Sequence, residues 1–253
     1  MKNRDIEWLL TEKYAGKKSQ AFFADCKRLA LDEPLAYIIG WTPFLNCKIH
    51  LDSKPLIPRP ETEYWTEEAI KTMQDSTLPL GCCEPKPLSV LDLCAGSGCI
   101  GTAVAKTIGA ARVDFGELDV LHLPTIKANL VENAVDLTRT TIVHSNIFSH
   151  LPERYDYILS NPPYIDANLN RTATSVKQYE PYLALYGGEG GIDVITTIIT
   201  QAHDHLTRDG QLWIEHEPEQ SGAIQTLGTD LGFSVTTHND QYGVKRYSIL
   251  VLQ

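Results

Sequence analysis

The chain has 253 residues, 43% of them hydrophobic and 21% charged, which is room for one globular α/β domain and a small extension. Its formal charge of −10 suits unaided phosphate-backbone binding poorly, since that calls for clustered Lys and Arg. No apolar run reaches the ~18 residues of a membrane span, and the start "MKNRDIEWLLTEKYAGKK", with Asp5, Glu7 and Glu12, resembles neither a secretory signal nor a transit peptide, so a cytoplasmic protein is expected.

Residues 4–14 and 19–31 read as helices, because Ile6, Leu9 and Leu10, then Phe22, Phe23, Cys26, Leu29 and Ala30, recur at three- and four-residue spacings. They form a short helical unit over 1–40. A second unit, 41–87, combines a β-hairpin that serves as a lid with a linker helix. Within it "FLNCKIHLD" alternates like a short strand, and the prolines of "PLIPRPETE" break the chain. A helix starts near Thr62, whose hydroxyl is placed to cap it, and runs to about Met73. Residues 74–87 form a connection rich in Pro, Gly and Cys. None of the six cysteines, Cys26, Cys47, Cys82, Cys83, Cys94 and Cys99, forms a C-x-x-C pair, so reduced thiols are expected. Cys82 and Cys83 would need two further ligands to hold a metal, and no metal site is expected.

From Leu88 to residue 253 strands alternate with helices. The strands are "LSVLDL", "ARVDFGEL", "RTTIVHS", "YDYILS", "GQLWIEH", "FSVTTH" and "RYSILVL"; helices are expected over 98–108, 122–133, 190–207 and 219–231. The alternation implies a mostly parallel sheet covered on both faces. The last two strands are joined by the short "NDQYGVK" and form an antiparallel hairpin. Seven strands ending in such a hairpin resemble the class I methyltransferase variation on a Rossmann-like sheet.

"DLCAGSG" joins the first of these strands to its helix. It has G-x-G but lacks the third glycine of a dinucleotide site and the Gly-Lys-Ser/Thr of a P-loop, so a ligand without phosphates fits better than NAD or ATP. An acid closing the second strand, roughly 20 residues past the glycines, commonly grips two ribose hydroxyls. Glu117 holds that position, and Asp119 is the alternative. After the third strand, where adenosyl-binding methyltransferases commonly carry an acid for the adenine amino group, stand Asn146 and Ile147. The Asn carbonyl still accepts a hydrogen bond, without the strength that charge adds, so looser adenine binding is expected.

The fourth strand ends in Asn161-Pro162-Pro163-Tyr164. Two prolines stop the ladder and stiffen the loop at a strand's carboxyl end, where open α/β sheets bind ligands. A planar nitrogen with a delocalised lone pair attacks a sulfonium methyl poorly. The Asn161 side-chain oxygen and the Pro162 carbonyl could take its two N–H groups, hold it in line and stabilise the growing positive charge. Tyr164 would give the substrate plane a flat face.

The stretches "YIIGWTPFLNCKIHLDSKPLIPRPETE", "VLDLCAGSGCIG", "YDYILSNPPYID" and "YEPYLALYGGEGGIDVITTII" resemble the protein-(glutamine-N5) methyltransferases of the HemK/PrmC type, which modify peptide-chain release factors. The Asn-Pro-Pro-Tyr tetrapeptide is shared with adenine-N6 DNA methyltransferases, whereas "LIPRPETE" and "EPYLALYGGEGG" are particular to the glutamine family. The resemblance implies S-adenosylmethionine as methyl donor and the glutamine of a Gly-Gly-Gln loop as acceptor. Asn161, Pro162, Pro163 and Tyr164 would then hold the acceptor, and Asp92, Cys94, Ala95, Gly96, Ser97, Gly98, Glu117, Asn146, Ile147 and Asn161 the donor. "PRPETE" would lie over the site, with Arg59 and Glu61 positioning the substrate or forming a salt bridge between segments. The family generally has a larger N-terminal helical domain for docking; about forty residues stand in its place here, so a reduced docking unit is expected. The other readings are adenine-N6 methylation of nucleic acid, glutamine methylation of a ribosomal protein, and a donor-binding module without catalysis. A monomer is expected, with neither membrane nor direct nucleic-acid binding.

Overall fold

Alternate side chains along the strands of the larger sheet point to opposite faces, and both sets are apolar. Val90, Val113, Phe115, Tyr157, Leu159 and Trp213 pack on one face, Leu91, Leu93, Ile158, Leu212 and Ile214 on the other. A sheet buried on both sides needs helices on both sides. The computed structural model supplies them, describing residues 2–76, 87–151 and 153–253. Cys82 and Cys83, with the metal question attached to them, lie outside the described residues. Cys26, Cys47, Cys94 and Cys99 are free thiols.

Helices α1 (Lys2–Glu12), α2 (Gln20–Ala30) and α3 (Leu35–Ile39) close around Leu9, Phe22, Leu29 and Ile38. Ser19 caps α2, its hydroxyl accepting from the Phe22 N–H at 3.2 Å. A two-stranded hairpin follows, β1 (Trp41–Phe44) and β2 (Cys47–His50), so the alternating run is split by a turn at Leu45 and Asn46. Helix α4 (Pro60–Ser76) corrects the expected start at Thr62. Proline's fixed φ suits a first helical position, so the helix begins at Pro60 and Thr62 becomes an interior residue with a buried side chain.

The remaining elements are β3 (Ser89–Leu93), α5 (Cys99–Thr107), β4 (Arg112–Glu117), α6 (Leu123–Glu132), β5 (Thr140–His144) and β6 (Tyr155–Ser160). After them come α7 (Thr174–Tyr179), α8 (Tyr182–Leu185), α9 (Asp193–His205), β7 (Leu206–Glu215), α10 (Ser221–Asp230), β8 (Phe233–Asn239) and β9 (Lys245–Leu252). Across the seven-stranded sheet the order is β5-β4-β3-β6-β7-β9-β8. Only β9 runs antiparallel to its neighbours, giving the expected final hairpin with β8. The β1–β2 hairpin with α4, α5 and α6 covers one face; α9 and α10 cover the other, α9 through its Ile195, Ile198, Ile199 and Ala202 stripe. Helices α7 and α8 were not anticipated, since six and four residues are too few for a helical period to register.

The chain moves outward from β3 through β4 to β5, then returns to lay β6 on the other side of β3. A ligand crevice opens at such a reversal, outside the carboxyl ends of the strands. The register sets those ends level: Leu93 pairs with both Gly116 and Ser160, and Glu117 with His144. The loops that leave β3, β4, β5 and β6 therefore emerge side by side.

Candidate active site

The loop after β3 turns through Cys94, Gly96 and Gly98 at φ of 60°, 54° and 73°. Gly96 lines a cavity, and its φ of 54° is one that a residue with a Cβ rarely adopts, although an added Cβ would meet nothing nearer than Pro55 at 4.0 Å. Its N–H donates to Glu117 Oε2 at 2.7 Å, and the Asp119 N–H donates to Oε1 at 2.8 Å. The two bonds fix the carboxylate and leave lone pairs on both oxygens. Asp119 serves its own turn, with Oδ1 accepting from the Leu121 N–H at 2.9 Å.

The cavity above this loop measures about 380 Å³ and is lined by Cys94, Gly96, Glu117, Asn146, Ile147 and Asn161, among others. Among the described residues no Lys or Arg is in its wall. Desolvation pushes the Cys94 thiol up to about 12, so it is a neutral wall group and no nucleophile near neutral pH. Ile147 sits at φ 52°, a strained conformation for a β-branched residue that costs about 1–3 kcal/mol. Its carbonyl accepts from the Ser145 hydroxyl at 2.7 Å, which helps hold it there. Asp92, Ala95, Ser97 and Gly98 stay out of the cavity wall and shape the loop from behind. Asp92 is fully buried and accepts from the Gly101 N–H at 2.8 Å, tying α5 to the end of β3. Burial raises its carboxyl well above the usual range.

A second cavity, about 270 Å³, lies on the other side of Asn161 and is lined by Arg59, Pro162, Tyr164 and Val176 among others. Leu56, Asn161 and Ala184 belong to both walls, so Asn161 stands at the junction. Its Nδ2 donates to the Thr62 hydroxyl at 3.0 Å. Among the described residues no donor is bonded to its Oδ1 or to the Pro162 carbonyl. Tyr164 lines the second cavity, and its hydroxyl donates to Glu215 Oε1 at 2.8 Å. Burial, then the Glu215 charge, raises the phenol far above its ordinary range, so it stays a donor.

Two further segments hold this loop. The glycine run after α8 packs against it so closely that a Cβ on Gly187 would lie 2.4 Å from the Pro163 carbonyl oxygen, and one on Gly191 would lie 2.0 Å from that of Tyr164. The Gln220 amide donates to the same Tyr164 oxygen at 2.8 Å. Over the top, Glu180 accepts from Arg59 at 2.5 Å and from the Ile57 N–H at 3.1 Å, fastening "LIPRPE" to "YEPYL". Arg59 thus takes the salt-bridge alternative; Glu61 lies in the first turn of α4. Glu180→Ala is expected to unfasten both segments and lower the unfolding free energy by about 1.5–3 kcal/mol, the worth of hydrogen bonds to a charged group. Thermal denaturation checks this, and an unchanged Tm would show that the pair adds no net energy.

Glu180, Glu215 and Gln220 carry no signal of a site role in the sequence, and Thr62 reads there only as a helix cap. The signal available in "YEPYL" was an acid flanked by a proline and aromatics, which marks a shaped turn without revealing its partner.

A seven-stranded sheet in this order, a glycine turn after β3 and an acid closing β4 define a class I methyltransferase, which is S-adenosylmethionine-dependent. The methyltransferase small domain family matches residues 76–178. A methyltransferase structure from Pyrococcus furiosus superposes with a TM-score of 0.59 at 17% identity, covering 89% of this chain and 95% of that one. The release factor glutamine methyltransferase of Rhodopirellula baltica is 33% identical over 215 residues, covering 84% of this chain and 71% of the relative. That of Lactococcus lactis subsp. lactis is 30% identical over 246 residues, covering 95% and 86%. The chain belongs to the release factor glutamine methyltransferase family.

The first cavity fits the donor this class uses. An anchored carboxylate with free lone pairs suits two ribose hydroxyls, Ile147 gives an apolar wall for a purine ring, and a wall without Lys or Arg among the described residues suits a ligand without phosphates. Among the described residues no helix is long and apolar enough to cross a membrane, and no cluster of side chains could hold a metal ion.

Proposed function

We propose that this protein methylates N5 of the glutamine in the Gly-Gly-Gln loop of a peptide-chain release factor, with S-adenosylmethionine as donor. The observation that carries the reading is Asn161 at the junction of the two cavities, its Oδ1 and the neighbouring Pro162 carbonyl both without a donor among the described residues. Glu117 holds the ribose; Asn146 and Ile147 meet the adenine; Cys94 and Gly96 floor the donor cavity, with Asp92, Ala95, Ser97 and Gly98 fixing its shape. When bound, the donor supplies a methyl carbon on a positively charged sulfur.

The glutamine amide enters through the second cavity and gives one N–H to Asn161 Oδ1 and the other to the Pro162 carbonyl. The Pro162 ring fixes one acceptor and the bond from Asn161 Nδ2 to Thr62 holds the other, so the nitrogen meets the methyl carbon along one line with little reorganisation. As the N–C bond forms and the S–C bond breaks, positive charge grows on nitrogen beside two oxygen dipoles. One amide proton then leaves to solvent, and no strong base is required. The Tyr164 ring packs beside the amide plane, and Pro163 lines the donor cavity.

The release factor approaches as a protein partner in the cytoplasm, and the enzyme acts as a monomer. Trp8, Phe23 and Leu31, exposed on or beside the first two helices, offer it apolar contact. Incubation with labelled donor is expected to label purified release factors and leave oligonucleotides and ribosomal proteins unlabelled. Label confined to DNA or RNA would replace the glutamine by an adenine amino group, and label confined to a ribosomal protein would move the partner.

A further inference from the structure

Asn161 can turn either end of its side-chain amide toward the acceptor cavity, and only one end is useful there. With Oδ1 forward it accepts a substrate N–H; with Nδ2 forward it meets one NH₂ group with another. The neighbours decide between them.

Glu215 ends β7 and is 1% exposed. Its Oε2 accepts from the Trp65 indole N–H at 2.7 Å and from the Thr62 hydroxyl at 2.7 Å, and its Oε1 from the Tyr164 hydroxyl at 2.8 Å. An indole nitrogen only donates, so that oxygen must accept. Thr62 has a single hydroxyl proton. Once it is committed to Glu215, the oxygen offers only lone pairs to its other partner, and Asn161 must present Nδ2, at 3.0 Å. Oδ1 is left facing the substrate.

We infer that Glu215, acting through Thr62, sets the orientation of the Asn161 amide and so keeps the acceptor oxygen forward; both are positioning residues. This rests on the amide-acceptor role of Asn161 proposed above. Burial raises the Glu215 carboxyl above its usual range, against the opposing pull of its three donors and the nearby Arg246. Arg246 is itself shared with Asp240 and Glu217, at 3.4 and 3.6 Å. The order of donors needs only Oε2 to accept, and the Trp65 indole, which can only donate, keeps it an acceptor in either state of the carboxyl.

The test measures kcat, acceptor KM and donor Kd for Thr62→Val, Thr62→Ser, Glu215→Gln, the Thr62→Val/Glu215→Gln pair and Asn161→Ala. Thr62→Val keeps the shape and removes the hydroxyl, and kcat is expected to fall about tenfold, a hydrogen bond's worth, while donor Kd holds. Glu215→Gln must keep its oxygen on the Trp65 indole N–H and hence on Thr62, turning its NH₂ to the Tyr164 hydroxyl, which can accept, so it should keep most of kcat. Thr62→Ser restores the hydroxyl and recovers most of kcat. Because Glu215 acts through Thr62, the double variant loses no more than the worse single variant. Wild-type kcat in Thr62→Val, no recovery in Thr62→Ser, or losses that multiply would each overturn the relay. A fully active Asn161→Ala would remove the reading beneath it, and that outcome is distinct from a silent Thr62→Val beside an inactive Asn161→Ala.

Discussion

Asn161→Ala is expected to lower kcat by about 10²–10³-fold, the range seen when one preorganised hydrogen-bonding group is removed from a transition state. Donor affinity should change little. Asn161 touches both cavities, but the donor is held chiefly by the Glu117 side of its own, and alanine leaves that wall intact. The loss falls on kcat because the amide oxygen matters most as the nitrogen gains positive charge, a demand the ground state makes only weakly. The Pro162 carbonyl remains and supplies the residual rate. Asn161→Asp makes a sharper comparison. Aspartate keeps an acceptor forward, but it brings a second carboxylate close to Thr62, whose single proton is already given to Glu215. Repulsion across Thr62 then works against the stronger acceptor, so Asn161→Asp should fall between wild type and Asn161→Ala. Single-turnover rates at saturating donor and release factor read this directly, and a normal rate in Asn161→Ala would remove the amide from the mechanism.

The sheet was legible in the sequence because each strand is a short apolar run bounded by turn residues. The donor loop was legible because two glycines and a strand-end acid stand at a usual separation. Thr62 was not. A threonine just inside a helix start, after prolines, has the pattern of a cap, and the same hydroxyl serves either purpose. What distinguishes them is Glu215, 153 residues away along the chain. Glu215 is equally mute by itself: an acid closing a strand reads as a solvated end, and only the fold reveals that α4 lies over it and buries it. The "GGEGG" run was visible as a motif but carried no physical role until Gly187 and Gly191 were found against the carbonyls of Pro163 and Tyr164. Local pattern reports what a residue does to its own backbone; which distant groups it touches is decided by packing.

Glu117→Ala is expected to weaken donor binding by about 10- to 150-fold, since hydrogen bonds to a charged group are worth about 1.5–3 kcal/mol and about 1.4 kcal/mol is a factor of ten. Part of the loss comes from the ribose hydroxyls and part from the loop. Without the carboxylate, the Gly96 and Asp119 N–H groups lose their shared acceptor, and the turn that shapes the cavity floor is no longer tied to β4. Glu117→Gln separates the two contributions. A glutamine has one acceptor oxygen and must set its NH₂ against one of those two N–H groups, so it should bind donor less well than wild type and better than alanine. Asp119→Ala loses a turn contact to Leu121 and should weaken binding much less. Calorimetric titration with donor ranks the three, and an Asp119→Ala loss larger than that of Glu117→Ala would transfer the ribose contact to Asp119. At saturating donor Glu117→Ala should keep most of its kcat, the reverse of Asn161→Ala, because the two residues hold opposite partners of one reaction and meet only where the cavities join.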